Sequence, residues 1–274
     1  PNLGTTAGIS CNSSRPTPYS GGSSGTASFG FGDYHGMTAK FDKRYSNGLM
    51  MMSAYTYGHA LANTGTTLSG STGFGTIDPR NYSSSYSTAA WDLRHNWVTN
   101  FTYELPFGKG KKFGTNMNKV TNAVVGNWQA NGILTLHTGQ PFTLRYNGCQ
   151  GVWSACRPDL VQGQDPQAAP SGGRNPNQWF NTAAVAKAAP LTGGNLGLQS
   201  NTGPATRTLD FSLFKDFVIT ERLRVQFRAE GTNVANTPQF GTPDNNLQNS
   251  TFGQVTSTWS GTERHMQFSL RVQF

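Results

Sequence analysis

The sequence predicts an all-β fold: an open, incomplete segment of an antiparallel transmembrane β-barrel, with about seven long strands. Three observations predict it. Strand-length segments alternate polar and apolar residues, the composition is poor in charge, and the connections alternate between short and long. Because successive side chains of a strand point to opposite faces, this alternation gives each strand one apolar and one polar face.

The composition favours strands joined by polar loops. Charged residues make up 12% of the 274 residues and apolar residues 35%, with 33 glycines and 14 prolines, whereas soluble domains average about 25% charged residues. No apolar run approaches the ~20 residues of a membrane-spanning helix. Barrel strands hide their hydrophobicity in every second position, so the composition is compatible with a membrane barrel. The net charge of +8 is scattered along the chain, and we therefore expect no nucleic-acid partner.

The first two strands form a predicted hairpin. One strand is expected near residues 29–45, and a second, rich in Met and Tyr, over residues 49–61. Ser46, Asn47 and Gly48 join them, and Asn-Gly is a strong hairpin signal. The residue pattern of the second strand does not say which of its faces is apolar.

Two strands of the middle third alternate with one exception each. Val98 and Ile133 are the exceptions, because both are apolar side chains on an otherwise polar face. The apolar face of the first strand consists of Trp97, Thr99, Phe101, Tyr103 and Leu105. The matching face of the second consists of Trp128, Ala130, Gly132, Leu134 and Leu136.

The last third predicts a hairpin and a final strand. A strand over residues 209–219 is joined by Thr220-Glu221 to a strand that begins at Arg222, and residues 264–274 alternate without error. The apolar face of this final strand consists of Met266, Phe268, Leu270, Val272 and Phe274. Its length of about ten residues is what a tilted strand needs to cross a bilayer.

The connections alternate in length from the first strand onward. The short ones are residues 46–48, 106–123 and 220–221, and the long ones are 63–90, 147–205 and 236–261. Bacterial barrels have short periplasmic turns and long extracellular loops, so we place the long connections outside the cell. The 106–123 link is longer than a usual periplasmic turn. A soluble β-sandwich has no reason to segregate connections by length, which favours the barrel.

The strand number predicts an incomplete barrel. Seven antiparallel strands do not meet the even number of bacterial barrels. Residues 1–25 show no alternation and are predicted to be the remnant of an extracellular loop. We therefore expect residues 1–274 to be the C-terminal part of a larger barrel, with the plug, the N-terminal domains and the remaining strands outside this chain.

The polar faces of the last two strands carry the main charged group. We expect these side chains to face the lumen: Arg222, Arg224, Arg228, Glu230 and Arg271. They are interpreted either as a wall that holds a plug or passes an anionic solute, or as solvated charges that pair across neighbouring strands.

The long 147–205 connection is the predicted ligand or partner surface. Cys149 and Cys156 have a spacing that would allow a local disulfide in an oxidising compartment, whereas Cys11 has no obvious partner. Trp153, Trp179 and Phe180 are interpreted either as ligand-stacking aromatics or as side chains that pack the loop.

No feature of the sequence predicts catalysis, a metal or a cofactor. The candidate residues for acid–base or metal chemistry lie on different strands and loops, without a nucleophile motif. They are His59, Asp92, His95, His137 and His265. We therefore expect a protein that is not an enzyme.

Eight short segments together resemble the Oar-like group of TonB-dependent receptors, in that group's order. They are FDKRYSNGL at 41–49, AYTYGHAL at 54–61, DLRH at 92–95, YELPFGKG at 103–110, GQPF at 139–142, WFNTAA at 179–184, DFSLFKD at 210–216 and ERLRVQFRAE at 221–230. The resemblance extends from about residue 35 to the end of the chain.

The resemblance implies an outer-membrane barrel of about 22 strands with an N-terminal plug, often preceded by a carboxypeptidase-regulatory-like β-sandwich. Such receptors import an external ligand when TonB pulls on the plug. The aromatic-ended last strand resembles the signal that the barrel-assembly machinery reads. Two other hypotheses remain open: a surface adhesion or structural protein without transport, and a small porin-like or soluble β protein.

Overall fold

A computed structural model of the chain describes residues 30–63, 81–146, 157–190, 192–220 and 222–274. The chain divides into two units, Pro1–Gly30 and Phe31–Phe274. The fold described below is that of the second unit. The expected loop remnant at residues 1–25 lies outside the described residues.

Strands dominate the described part of the chain. In chain order they are β1 (Gly32–Ser46), β2 (Leu49–Ala62), β3 (Ser87–Thr88), β4 (His95–Glu104), β5 (Trp128–His137), β6 (Pro141–Phe142), β7 (Asp159–Leu160), β8 (Val185–Ala186), β9 (Asn201–Thr202), β10 (Thr206–Val218), β11 (Arg224–Thr232) and β12 (His265–Gln273). Helix α1 spans Lys119–Val125, and 3-10 turns occupy Tyr82–Ser85 and Thr182–Ala184. No helix in these ranges is long and apolar enough to cross a membrane.

The seven long strands form one open antiparallel sheet, in the order β1-β2-β4-β5-β10-β11-β12. Each long strand pairs with the long strands next to it in sequence, and β3 extends the pairing at the end of β2. β1 and β12 are the two edges. The all-β, antiparallel fold and its seven long strands agree with the sequence prediction. Two further pairs, β6 with β9 and β7 with β8, lie outside this sheet.

The strand register aligns the apolar side chains into rows that cross the sheet. One such row is Phe268, Ala229, Leu213, Ala130, Tyr103 and Leu49. We call the face that carries these rows the apolar face and the opposite one the polar face. The register also assigns the faces of β2: Leu49, Met51 and Tyr55 lie on the apolar face, whereas Met50 and Met52 lie on the polar face.

Charged side chains on the apolar face of β10 are confined to its ends. Arg207 lies near one end and Lys215 near the other, and the side chains between them on this face are Leu209, Phe211 and Leu213. On β12 the apolar face is exposed: Phe268 and Leu270 retain 67% and 71% of their accessible surface. A contiguous exposed apolar surface of this kind marks a contact with a partner or a membrane.

Three polar side chains on the apolar face form hydrogen bonds with one another. Trp97 Nε1 donates to Ser53 Oγ over 2.8 Å, and Ser53 Oγ lies 2.8 Å from Thr99 Oγ1. The three residues lie on two neighbouring strands, β2 and β4. Because unpaired polar groups are costly away from water, this mutual pairing suits an apolar environment.

The connections segregate by length at the two ends of the sheet. One end, which we call the turn end, carries Asn47-Gly48, residues 105–127 and residues 219–223. The other, the loop end, carries residues 63–94, 138–205 and 233–264. Asn47 and Gly48 have φ angles of 52° and 78°, the left-handed conformation that a two-residue hairpin turn requires.

Two connections at the turn end differ from the sequence prediction. The β10–β11 turn is longer than Thr220-Glu221, because pairing stops at Val218 and resumes at Arg224. Residues 105–127 contain α1, which the glycine-rich composition did not predict. Asn118 caps this helix by accepting a hydrogen bond from the Thr121 backbone N–H.

Two of the three loop-end connections, residues 138–205 and 233–264, contain a small apolar core of their own. Its buried members are Phe142, Leu144, Phe180, Val185 and Leu196. Trp179, Leu247 and Phe252 pack against it, so residues 138–205 and 233–264 contribute to one packed structure. We call this structure the loop platform.

Candidate functional site

The polar face of β11 and β12 carries the predicted charged residues. Arg224, Arg228 and Glu230 lie on one face of β11, and Arg271 lies opposite Gln226 on β12. Arg222 precedes β11 and is exposed. The structure therefore places the four strand residues of the predicted set on one face, as the alternation requires.

Arg228 contacts neutral neighbours on this face. Its guanidinium carbon lies 4.8 Å from the centre of the Phe214 ring, and its Nε donates to Gln226 Oε1 over 2.6 Å. Gln226 Nε2 in turn donates to Asp216 Oδ1 over 2.9 Å. The Phe214 ring and the Gln226 amide thus hold the guanidinium at the polar face, an arrangement that cation–π attraction favours.

The central strands form a groove of about 290 Å³ on the polar face. Met50, Met52 and Ile133 line it, and Met52 and Ile133 are 51% and 49% exposed. The Asn131 Nδ2 group, also in the groove, is buried without a hydrogen-bond partner among the described residues. The apolar exception at Ile133 therefore belongs to a cluster that also contains two methionines of β2.

The predicted loop aromatics have different environments. Phe180 is 1% exposed in the core of the loop platform, in ring contact with Phe142 and Phe252. Trp179 is half-buried, and its indole N–H donates to Thr202 O over 3.2 Å. These positions fit the packing interpretation that the sequence left open. Trp153, and the predicted disulfide between Cys149 and Cys156, lie outside the described residues.

A cleft at the loop end contains an aromatic residue that sequence reasoning missed. It has a volume of about 340 Å³ and is lined by His137, Gln140, Gln239 and Trp259, together with threonines and Phe240. Trp259 is 55% exposed, and its backbone N–H donates to Gln239 O. The cleft combines an exposed aromatic surface with amide, hydroxyl and imidazole groups. Only the folding of residues 233–264 against 138–205 brings these groups together.

A second polar cleft, of about 400 Å³, includes Asp92, Arg94 and His95. Asp92 is 5% exposed, accepts the Ala60 backbone N–H over 2.7 Å, and lies 3.5 Å from the Arg94 guanidinium. His95 Nδ1 lies 2.7 Å from the Tyr55 hydroxyl. Asp92 therefore holds the loop end of β2 in place.

The other three histidines of the predicted set have different contacts. His59 lies 3.5 Å from the Thr88 hydroxyl, His137 contacts the Thr138 carbonyl, and His265 lies 3.8 Å from Glu263. In the described ranges, no group of three or more His, Cys, Asp or Glu side chains is arranged to hold a metal ion.

Asp244 organises the 233–264 part of the loop platform. Burial raises the pKa of its carboxyl, but hydrogen bonds from Thr251, the Asn246 backbone and Asn249 outweigh burial, and the pKa is lowered overall. The Thr251 hydroxyl donates over 2.5 Å and Asn249 Nδ2 over 2.8 Å. These hydrogen bonds favour the ionised carboxyl.

We expect the loop platform to loosen in acid. Because the pKa of Asp244 is lowered in the folded protein, its carboxylate stabilises the fold above the ordinary Asp pKa of about 4. This stability is lost as the pH falls through the pKa of the folded state. Protease protection of the loops should therefore be weaker at pH 3 than at pH 7. Asp244→Asn should cost about 1–2 kcal/mol at pH 7 and flatten the pH dependence. Asp165→Asn, which removes an exposed carboxylate, serves as the control, and equal pH profiles for both variants would contradict this role.

Comparison with known proteins identifies one family. The family model described as "Outer membrane beta barrel domain" matches residues 1–267. No curated protein and no solved structure matches the chain. The match covers nearly all of the chain, including the first six long strands and the start of β12.

Proposed function

This chain belongs to the family of outer membrane beta barrel domains, and we propose that it is the C-terminal barrel segment of a TonB-dependent receptor of the Oar-like group. Its place is the bacterial outer membrane, with the apolar face against lipid. In the proposed receptor, the polar face lines the lumen and contacts the plug. The loop end faces outward and takes up a ligand.

The groove on the polar face is the observation that carries this proposal. On a wall that meets only water, the apolar side chains of Met50, Met52 and Ile133 would stay exposed. A plug packed inside the barrel would cover these side chains and remove their apolar surface from water. The groove therefore favours a plugged receptor over a water-filled pore.

The open edges support the participation of further strands. A membrane-spanning sheet needs a partner for every backbone N–H and C=O group that faces lipid. Within the described residues, β1 and β12 each have one neighbouring strand, so closure needs further strands of the same receptor between these edges. We propose that the barrel-assembly machinery recognises β12, and that TonB acts through the plug.

Uptake with and without TonB tests the transport function. In cells that carry the full-length receptor, a panel of fluorescent oligosaccharides and peptides serves as the ligand probe. The proposal requires that at least one probe accumulates in the periplasm, and that deletion of TonB abolishes this accumulation while surface binding remains. Accumulation that is unaffected by the deletion would contradict energised uptake.

The cleft that contains Trp259 is the proposed ligand contact. Because the ring is exposed beside amide and hydroxyl groups, it suits a ligand that stacks and forms hydrogen bonds. We expect Trp259→Ala to weaken surface binding of the transported probe roughly tenfold, which corresponds to about 1.4 kcal/mol. Trp91→Ala, at a tryptophan that is 44% exposed outside the cleft, is the matched control. Equal binding by the two variants would place the ligand elsewhere.

A surface adhesion or structural role is the second candidate. The packed core of the loop platform favours it, since a rigid external surface suits attachment to another surface as well as ligand capture. Cell attachment that persists without TonB, in the absence of probe uptake, would support this alternative. Under either role we propose a protein that is not an enzyme and uses no cofactor.

A further inference from the structure

The connection at residues 105–127 is basic and free of acidic residues. It contains Lys109, Lys111, Lys112 and Lys119 and no Asp or Glu. Lys111 is engaged by the Glu104 carboxylate over 2.6 Å, and this contact raises the pKa of Lys111. The other three lysines are exposed.

The helix within this connection exposes its apolar side chains. Val120 and Val124 are four residues apart and therefore lie on one side of α1, where they are 75% and 64% exposed. A helix of seven residues is too short to be stable by itself in water, and none of its residues is buried in the structure. The two valines thus form an apolar surface that the described chain leaves uncovered.

Two hydrogen bonds fix the end of α1 at the margin of the apolar face. The Trp128 indole N–H donates to Val124 O over 2.9 Å, and Lys215 Nζ donates to Gly126 O. Trp128 and Lys215 are paired neighbours on the apolar face of β5 and β10. The helix end is therefore tied to the lipid side of the turn end.

We propose that α1 and the three exposed lysines of its connection form an interfacial anchor in the phospholipid leaflet at the turn end of the barrel. Val120 and Val124 enter the boundary between headgroups and acyl chains, and Lys109, Lys112 and Lys119 contact lipid phosphates. Two features select a lipid leaflet as the occupant: the surface continues the lipid-covered face, and its charge is complementary to phosphate. The inference rests on the membrane location alone and holds with or without transport.

Depth-dependent fluorescence quenching tests the anchor. An environment-sensitive fluorescent amino acid is placed at position 120 of the full-length protein, in vesicles that contain brominated phospholipid. Position 116 is the matched control, because Asn116 is exposed in the same connection and lies outside α1. Position 268, on the apolar face, is the positive control.

We expect strong quenching at position 268, clear quenching at 120 and little at 116. If quenching at 120 is no greater than at 116 while 268 is quenched, the anchor is overturned and the proposed function stands. Absence of quenching at 268 would overturn both, since the sheet would then not meet lipid.

The lysines are tested in the same vesicles. Adding phosphatidylglycerol to phosphatidylethanolamine should increase quenching at position 120, and raising the salt concentration should reverse the increase. The variant Lys109→Gln/Lys112→Gln/Lys119→Gln should lose this response and keep the quenching at position 268. A response that survives in the triple variant would remove the phosphate contacts from the proposal.

Discussion

Replacing Phe211 with arginine is expected to lower the free energy of unfolding in a bilayer by about 2–4 kcal/mol. Phe211 lies on the apolar face of β10, four residues from Arg207 on one side and four from Lys215 on the other. At about 3.3 Å per residue, each charged neighbour is about 13 Å away along the strand. An arginine at position 211 would thus stand near the middle of the hydrocarbon layer, where a charge costs most.

Two further variants separate the effect of charge from that of shape. Gln267→Arg introduces the same side chain on the polar face of β12, where Gln267 is exposed opposite Glu230, and should change the unfolding free energy by less than about 1 kcal/mol. Phe211→Leu keeps an apolar group at the lipid contact. Urea unfolding of the full-length protein in vesicles gives all three free energies. If the two arginine variants lost equal stability, the assignment of faces would be wrong.

Replacing Gly139 with alanine is expected to destabilise the loop platform by about 3 kcal/mol, the upper end of the usual cost of overpacking. A methyl group at Gly139 would lie 1.9 Å from Gly203 O and 2.7 Å from Pro204 O, which are backbone atoms that a rotamer change does not move. The Gly203 backbone N–H also donates to Gln140 O over 2.9 Å. The two ends of the 138–205 loop therefore meet too closely at this point for any side chain.

Protease treatment of intact cells measures this loss. Gly139→Ala should make the loops sensitive to protease while the sheet keeps the heat-modifiable mobility of a folded barrel. Gly197→Ala is the control, because Gly197 is exposed in the same loop and nothing lies within 4 Å of the added methyl group. Equal protease resistance in both variants would mean that the loop base relaxes without cost.

The long strands were predictable because each one has a lipid side and a polar side. β5 begins and ends at the predicted residues, Trp128 and His137, and β12 differs from its prediction by one residue at each end. The faces of β2 were ambiguous because Met50 and Met52 place apolar side chains on its polar face too. Only its register with β4 assigned the faces.

The helix and the loop platform were not predictable from local pattern. α1 is short; its cap at Asn118 and its bond from Trp128 are local, whereas the bond from Lys215 is a tertiary contact with β10. The loop core brings Phe142 into contact with Phe180, which is distant in the chain. The alternation of polar and apolar residues does not predict contacts between such distant residues. Trp259 was missed for the same reason, since the cleft around it combines residues of its own connection with His137 of β5 and Gln140 of the 138–205 connection.

The order of strands in the sheet has a consequence for assembly kinetics. Every long strand pairs with its neighbours in sequence, so the additions at the turn end close short segments, and the entropy of loop closure grows only slowly with length. The longest closure is the addition of β10 to β5, which must close residues 138–205. If the core around Phe142 and Phe180 forms first, it brings Gly139 beside Gly203. The segment that must be closed when β10 pairs with β5 is then effectively much shorter. We therefore expect the folding rate, as well as the finished surface, to depend on the loop platform.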